Sequence, residues 1–139
     1  MEKILLRFGC SNFGVMADWD NQCIIAQFKH RGRDVQIKAS ARGYAAAWLK
    51  ENPWTRRRYT GKEQWERLAI EKGSTAVYSI LRDWIKSQVT AIETGILTFE
   101  GAFLGQILLP SGKTVLEHVE KSKMIEAPKD ARILEVEAE

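Results

Sequence analysis

The chain has 139 residues, 45% of them apolar, enough to build one domain whose core needs no disulfide or metal staple. Up to Arg67 there are 13 Lys/Arg against 7 Asp/Glu, and beyond it 8 against 11, so the net +3 charge comes from a basic first half, which fits either an anionic partner or a solvated surface. No stretch of about 18 uncharged apolar residues occurs, which excludes a membrane-spanning helix; the longest apolar run, from Val89 to Leu109, carries Glu93 and Glu100.

In chain order, Lys3–Phe8 alternates loosely and predicts a strand. Gly9–Asn21 mixes turn formers with Phe13, Val15, Met16 and Trp19, and reads as an irregular loop or as a short strand between two turns. The clearest element is a hairpin of Gln22–Lys29 and Asp34–Lys38. Ile24, Ala26 and Phe28 share one face by the period of two, as do Val35 and Ile37, and Gly32 supplies positive φ in the turn. Arg31 and Arg33 then project from its tip.

Ser40 is a fitting N-cap for a helix over Ala41–Glu51, with Tyr44, Ala45, Trp48 and Leu49 as its apolar stripe; Asn52-Pro53 ends it. After a linker from Trp54 to Thr60, Thr60-Gly-Lys-Glu63 matches a capping box and opens a second helix. Its stripe begins at Trp65, Leu68, Ala69 and Lys72. Gly73 is either a break or a close-packing point, and beyond it Val77, Ile80, Leu81, Trp84, Gln88, Ala91, Ile92 and Gly95 continue the periodicity. A helical or kinked segment to about Phe103 follows. Gln106–Leu109 and Thr114–Val119 predict a second hairpin, turning at Pro110-Ser-Gly-Lys113. Ala131–Val136 predicts a last strand in a charged tail that frays from about residue 127. The expected fold is a single α+β domain over residues 1–139, with an antiparallel sheet from an N-terminal and a C-terminal hairpin packed on two or three helices.

Catalytic chemistry finds little support. His30 lies in a basic turn, where Arg31 and Arg33 disfavour its charged form, while Glu117 and Glu120 favour that of His118. Cys10 and Cys23 lack metal-ligand spacing and read as reduced thiols of a cytoplasmic protein; a disulfide between them would need their strands to pair. No metal or other cofactor is expected. Glu93 and Glu100, seven apart on a helix, would stand about 10 Å from each other, too far to chelate one ion alone. Gly112-Lys113-Thr114 has the ending of a phosphate loop, but Ile107 stands where the motif needs glycine, and a strand rather than a helix is expected to follow.

The densest basic and aromatic cluster is Trp54–Arg67. There Arg56, Arg57, Arg58, Tyr59 and Lys62 combine phosphate-neutralising charge with a stacking face, the pairing that single-stranded nucleic acid uses. Trp54 and Trp65 read as anchors that hold the linker to the core. Together with Arg31 and Arg33 these residues form the expected binding surface of a non-enzymatic protein. Five tryptophans leave room for an apolar patch and hence a homodimer, although no single patch stands out.

Three segments carry a resemblance: Gly32-Arg-Asp-Val, Gly43-Tyr-Ala to Trp48-Leu-Lys-Glu-Asn-Pro-Trp54, and Ile80-Leu-Arg-Asp-Trp-Ile-Lys to Gln88-Val-Thr-Ala-Ile-Glu-Thr-Gly-Ile-Leu-Thr-Phe-Glu100. In them the chain resembles a group of uncharacterised small proteins of bacterial phages and other mobile elements. The resemblance implies a prokaryotic cytoplasmic setting and a partner that is nucleic acid or a host nucleoprotein complex. It also implies an alternative, a counter-defence inhibitor of the anti-CRISPR kind that binds a host immune complex.

Overall fold

The expected hairpin is the centre of the structure, a computed structural model that describes residues 1–125. Strands β2 (Cys23–His30) and β3 (Arg33–Ser40) pair antiparallel with His30 opposite Arg33. Arg31 and Gly32 between them both have positive φ, 49° and 81°, the two-residue turn whose twist matches that of the strands. On β2, Ile24, Ala26, Phe28 and His30 are buried at strict alternation.

The third strand comes from Gly9–Asn21, the stretch read as an irregular loop or a short strand. β1 (Cys10–Asp18) pairs antiparallel with β2, so the sheet order is β1-β2-β3. Pairing with β2 holds the stretch extended despite its turn-forming residues, because strand preference is set by neighbours more than by the residue itself. Cys10 lies opposite His30 and Cys23 opposite Asp18, so the two free cysteines stand at opposite ends of this ladder and cannot bond. The residues before β1 form a helix, α1 (Glu2–Phe8), rather than a strand. Leu5 is its buried side chain, and Gly9 ends it at φ 94°. A short apolar run at a chain start fits either element, and docking against the core decides.

The second expected hairpin is also replaced. Only isolated bridges remain, Val35 to Ile107 and Leu108 to Thr114. The residues expected as its return strand form helix α5 (Val115–Ser122) instead. Thr114 closes a capping box there: its hydroxyl accepts from the Glu117 amide at 3.2 Å, and the Glu117 carboxylate accepts from the Thr114 amide at 3.1 Å. The tail expected to fray, with its last strand, lies outside the described residues.

Helix α2 (Ala41–Glu51) starts as expected, with the Ser40 hydroxyl accepting from the Gly43 amide at 2.9 Å. Helix α3 (Lys62–Glu93) runs 32 residues without a break. The expected Thr60 capping box does not form; Gly61 is the N-cap and gives no side-chain bond. The buried line of α3 is Ala69, Gly73, Val77, Leu81, Ile85 and Val89. Steps of four overshoot a full turn by about 40° each, so the line winds around the helix. It faces α2 at Gly73, which packs on the Ala41 and Ala45 backbone, and joins the sheet core from Val77 onward. The winding explains why Ile80, placed on the stripe from sequence, is exposed, whereas Ile85 and Val89, left off it, are fully buried.

After Gly95 turns the chain at φ 78°, α4 (Phe99–Phe103) seats Phe103 against Phe28 and Trp84, with ring centroids 5.5 and 5.8 Å away. A 3-10 turn over Leu104–Gln106 leads on to the bridges and α5.

Candidate nucleic-acid interface and the His30 cleft

The turn between α2 and α3 is tied from within by indole groups. The Trp54 Nε1–H donates to the Thr60 carbonyl at 2.7 Å, and the Trp65 Nε1–H to the Asn52 carbonyl at 2.8 Å. The Trp65 ring packs on Trp48 with centroids 5.0 Å apart. Both tryptophans expected to anchor the linker therefore do so. Arg58 joins them: its guanidinium lies 3.9 Å over the Trp65 ring, and its Nε–H donates to the Pro53 carbonyl at 3.1 Å. Arg58 is thus part of the scaffold, a commitment that nothing local in the sequence signals, since Trp65 lies seven residues away across a turn.

That leaves Arg56, Arg57, Tyr59 and Lys62 exposed and without an ion-pair or hydrogen-bonding side-chain partner among the described residues. No carboxylate occurs from Pro53 to Lys62. The nearest acid in sequence, Glu63, faces Arg67 at 4.0 Å on the exposed helix surface, where such a pair contributes little.

Arg31 and Arg33 are elsewhere. They line a cleft with Glu93, the last residue of α3, whereas Lys62 is its first. The two ends of that helix are roughly 45 Å apart, so the two basic groups lie towards opposite ends of it. The structure therefore divides the expected surface into two.

The cleft measures about 580 Å³, within the range of small-molecule sites. Arg7 binds Glu93 at 3.2 Å across its rim, and Arg33 binds Glu100. Glu93 and Glu100, expected on one continuous helix face, are instead separated by the turn at Gly95, and each holds a different arginine. The Glu100 carboxyl is held below its usual range by the amide at its own helix start, then by Arg33. His30 forms the floor, stacked 4.1 Å from Phe8 and 5.1 Å from Phe99. It is only 7% exposed, and its Nδ1 has no hydrogen-bond partner among the described residues. Burial, then Arg31, lowers its pKa from the ordinary 6.5, so the ring is neutral at neutral pH.

The direction of that shift makes a prediction. Below pH 6.5 the unfolded chain takes up a proton that the folded chain refuses, so the folded state loses stability as pH falls toward the lowered pKa. His30→Phe keeps the three-ring stack and removes the titration. Its melting temperature is expected to fall less between pH 7 and pH 5 than the parent's, read by circular dichroism; parallel curves for the two would refute the assignment.

No family model matches this chain, and neither do curated proteins or solved structures.

The remaining candidates for chemistry do not converge. Burial pushes the Cys10 thiol up to about 11, which removes it as a nucleophile at neutral pH. Cys23 is shifted the same way by burial and then by Asp18. His118 is exposed on α5 in a shallow hollow with Ser111, Lys113, Lys121 and Ser122, away from any thiol among the described residues lining it. Among those residues no three His, Cys, Asp or Glu side chains gather as a metal site. Gly112-Lys113-Thr114 does precede a helix, contrary to expectation, but the Glu117 carboxylate already occupies the amide that an incoming phosphate would use.

Proposed function

We propose that the chain binds the phosphate backbone of single-stranded nucleic acid, free or within a nucleoprotein complex, through the α2–α3 turn. One observation carries this reading: Arg56, Arg57 and Tyr59, with Lys62 at the start of α3, are exposed around a loop that Trp54, Arg58 and Trp65 hold in shape. Guanidinium groups fork onto phosphate oxygens, and an exposed phenol ring offers a stacking face for any base. Holding the loop in advance lowers the ordering cost of binding. The resemblance to phage and mobile-element proteins supports a host nucleoprotein complex as the setting.

Fluorescence anisotropy with labelled single-stranded DNA and RNA tests the proposal across a salt series. Arg56→Ala/Arg57→Ala/Lys62→Ala removes three cations, so the slope of log affinity against log salt is expected to become shallower by about 2. The same slope in parent and variant would remove the turn from the interface. A host protein that stays on the chain after nuclease digestion, and is lost with the triple variant, would replace this reading with the alternative of an inhibitor seated on an acidic surface of a host defence complex.

A further inference from the structure

Among the described residues, strand β1 is the open edge of the sheet. β2 fills its hydrogen-bonding groups on one side only. The opposite edge, on β3, is covered near its start, where Ile107 bridges to Val35 and the Leu108 amide donates to the Asp34 carbonyl at 2.8 Å. No comparable cover lies on β1 among the described residues. Edge strands ordinarily resist pairing by being short, charged, bulged or broken by proline. β1 is nine residues long, and from Cys10 to Ala17 it contains no charge and no proline. Its one irregularity falls between Cys10 and Asn12, which leaves a regular ladder from Asn12 to Asp18.

Apolar side chains are exposed on both faces of this edge. Val15, opposite buried Ala26, lies on the core face, and Met16, opposite Ile25, on the outer face. Trp19, just past the strand, is 79% exposed. A large indole left in water beside an unpaired backbone edge marks an association surface.

The ends of the strand identify the occupant. Its start adjoins α1, which exposes Leu6 and where Lys3 and Arg7, the latter paired with Glu93, outnumber Glu2; its end exposes Trp19 and Asp20 beside Asp18. A second copy laid antiparallel about a two-fold axis brings the basic, leucine-bearing end of one strand to the acidic, tryptophan-bearing end of the other. A parallel arrangement would set Asp18 and Asp20 against their own copies. Two-fold contacts of this self-complementary kind are the commonest way for a chain to associate with itself.

We propose that two copies of the chain pair through their β1 edges, antiparallel, to make one continuous six-stranded sheet. The pairing leaves the α2–α3 turn out of the contact and is independent of what that turn binds.

Light scattering on the full chain as it elutes from a sizing column is the test, with hydrogen exchange at low and high micromolar concentration. The parent is expected to approach twice the chain mass as concentration rises, with amide protection in β1 rising in step. Val15→Lys/Met16→Lys changes only exposed side chains and puts charge on the edge. This variant is expected to elute at a single chain mass with an unchanged circular dichroism spectrum. A parent of single mass throughout, or a folded lysine variant that keeps the doubled mass, overturns the proposal. So do edge-facing β1 amides equally protected at a concentration where the parent has a single chain mass, which would show the edge covered by another part of the same chain. The exchange measurement needs no variant, so it decides the matter even if the lysine pair unfolds the protein.

Discussion

Phe103→Ala is expected to cost about 3–5 kcal/mol of folding stability, the range for truncating a fully buried aromatic ring. Phe103 has no exposed surface. It stands edge-on to Phe28 and Trp84, and tilted 5.5 Å from Phe99. The ring joins the sheet, α3 and α4 at one point, so no single element can move inward to fill the space it leaves. Against a total stability of roughly 5–15 kcal/mol for a domain of ordinary size, the loss is a large fraction. It also releases Phe99, which forms one side of the His30 stack. Urea unfolding followed by tryptophan fluorescence measures the change. A loss under about 1 kcal/mol would mean that α4 is not docked as described, since even a collapsing core site costs more than that.

Gly73→Ala is expected to destabilise by a net amount on the order of 1–2 kcal/mol, against the usual sign. In an open helix interior alanine is better than glycine by about 1 kcal/mol. At position 73 a Cβ would lie 2.6 Å from the Ala41 carbonyl oxygen and 3.4 Å from the Ala45 amide nitrogen. Both are backbone atoms, so no rotamer change relieves the clash and α2 must move off α3. Overpacking of this kind costs typically 1–3 kcal/mol, enough to outweigh the gain in propensity. Thermal melts of the two proteins side by side decide the sign. A higher midpoint for Gly73→Ala would show that α2 shifts freely. Because α2 and α3 carry the basic turn between them, any shift should also weaken the nucleic-acid binding proposed for it, without touching a residue of the turn.

The same glycine shows where sequence reasoning stops. Its neighbours permit either a break or a close approach, and only the position of α2 against it selects the second. The Thr60 capping box fails for a similar reason. The pattern is present, but the helix takes Gly61 as its N-cap, one residue later, so Thr60 stands outside the capping position. An equivalent pattern at Thr114 and Glu117 forms in full, in a segment expected to be a strand. A capping box is therefore a local option, realised where the helix starts at the residue that can close it.

What the amino-acid sequence determined by itself are features whose physics is local. These include the β2–β3 hairpin with its positive-φ turn, the Ser40 cap and α2 behind it, the existence of α3, and a linker rich in arginine and tryptophan. Period-two burial, a hydroxyl facing a free amide and a glycine in a tight turn each act within a few residues. The tertiary structure alone decided what depends on distant partners. It made β1 a strand by pairing it with β2, and Lys3–Phe8 a helix by docking Leu5. It wound the buried line of α3 from one neighbour to the next. It also divided the arginines: Arg58 went into the scaffold over Trp65, Arg33 onto Glu100, and Arg31 to the far end of a 32-residue helix from Arg56 and Arg57. Charge can be counted along a chain. Which charges share a surface depends on how the helices lie, because a single long helix can carry neighbours in composition to opposite ends of the molecule.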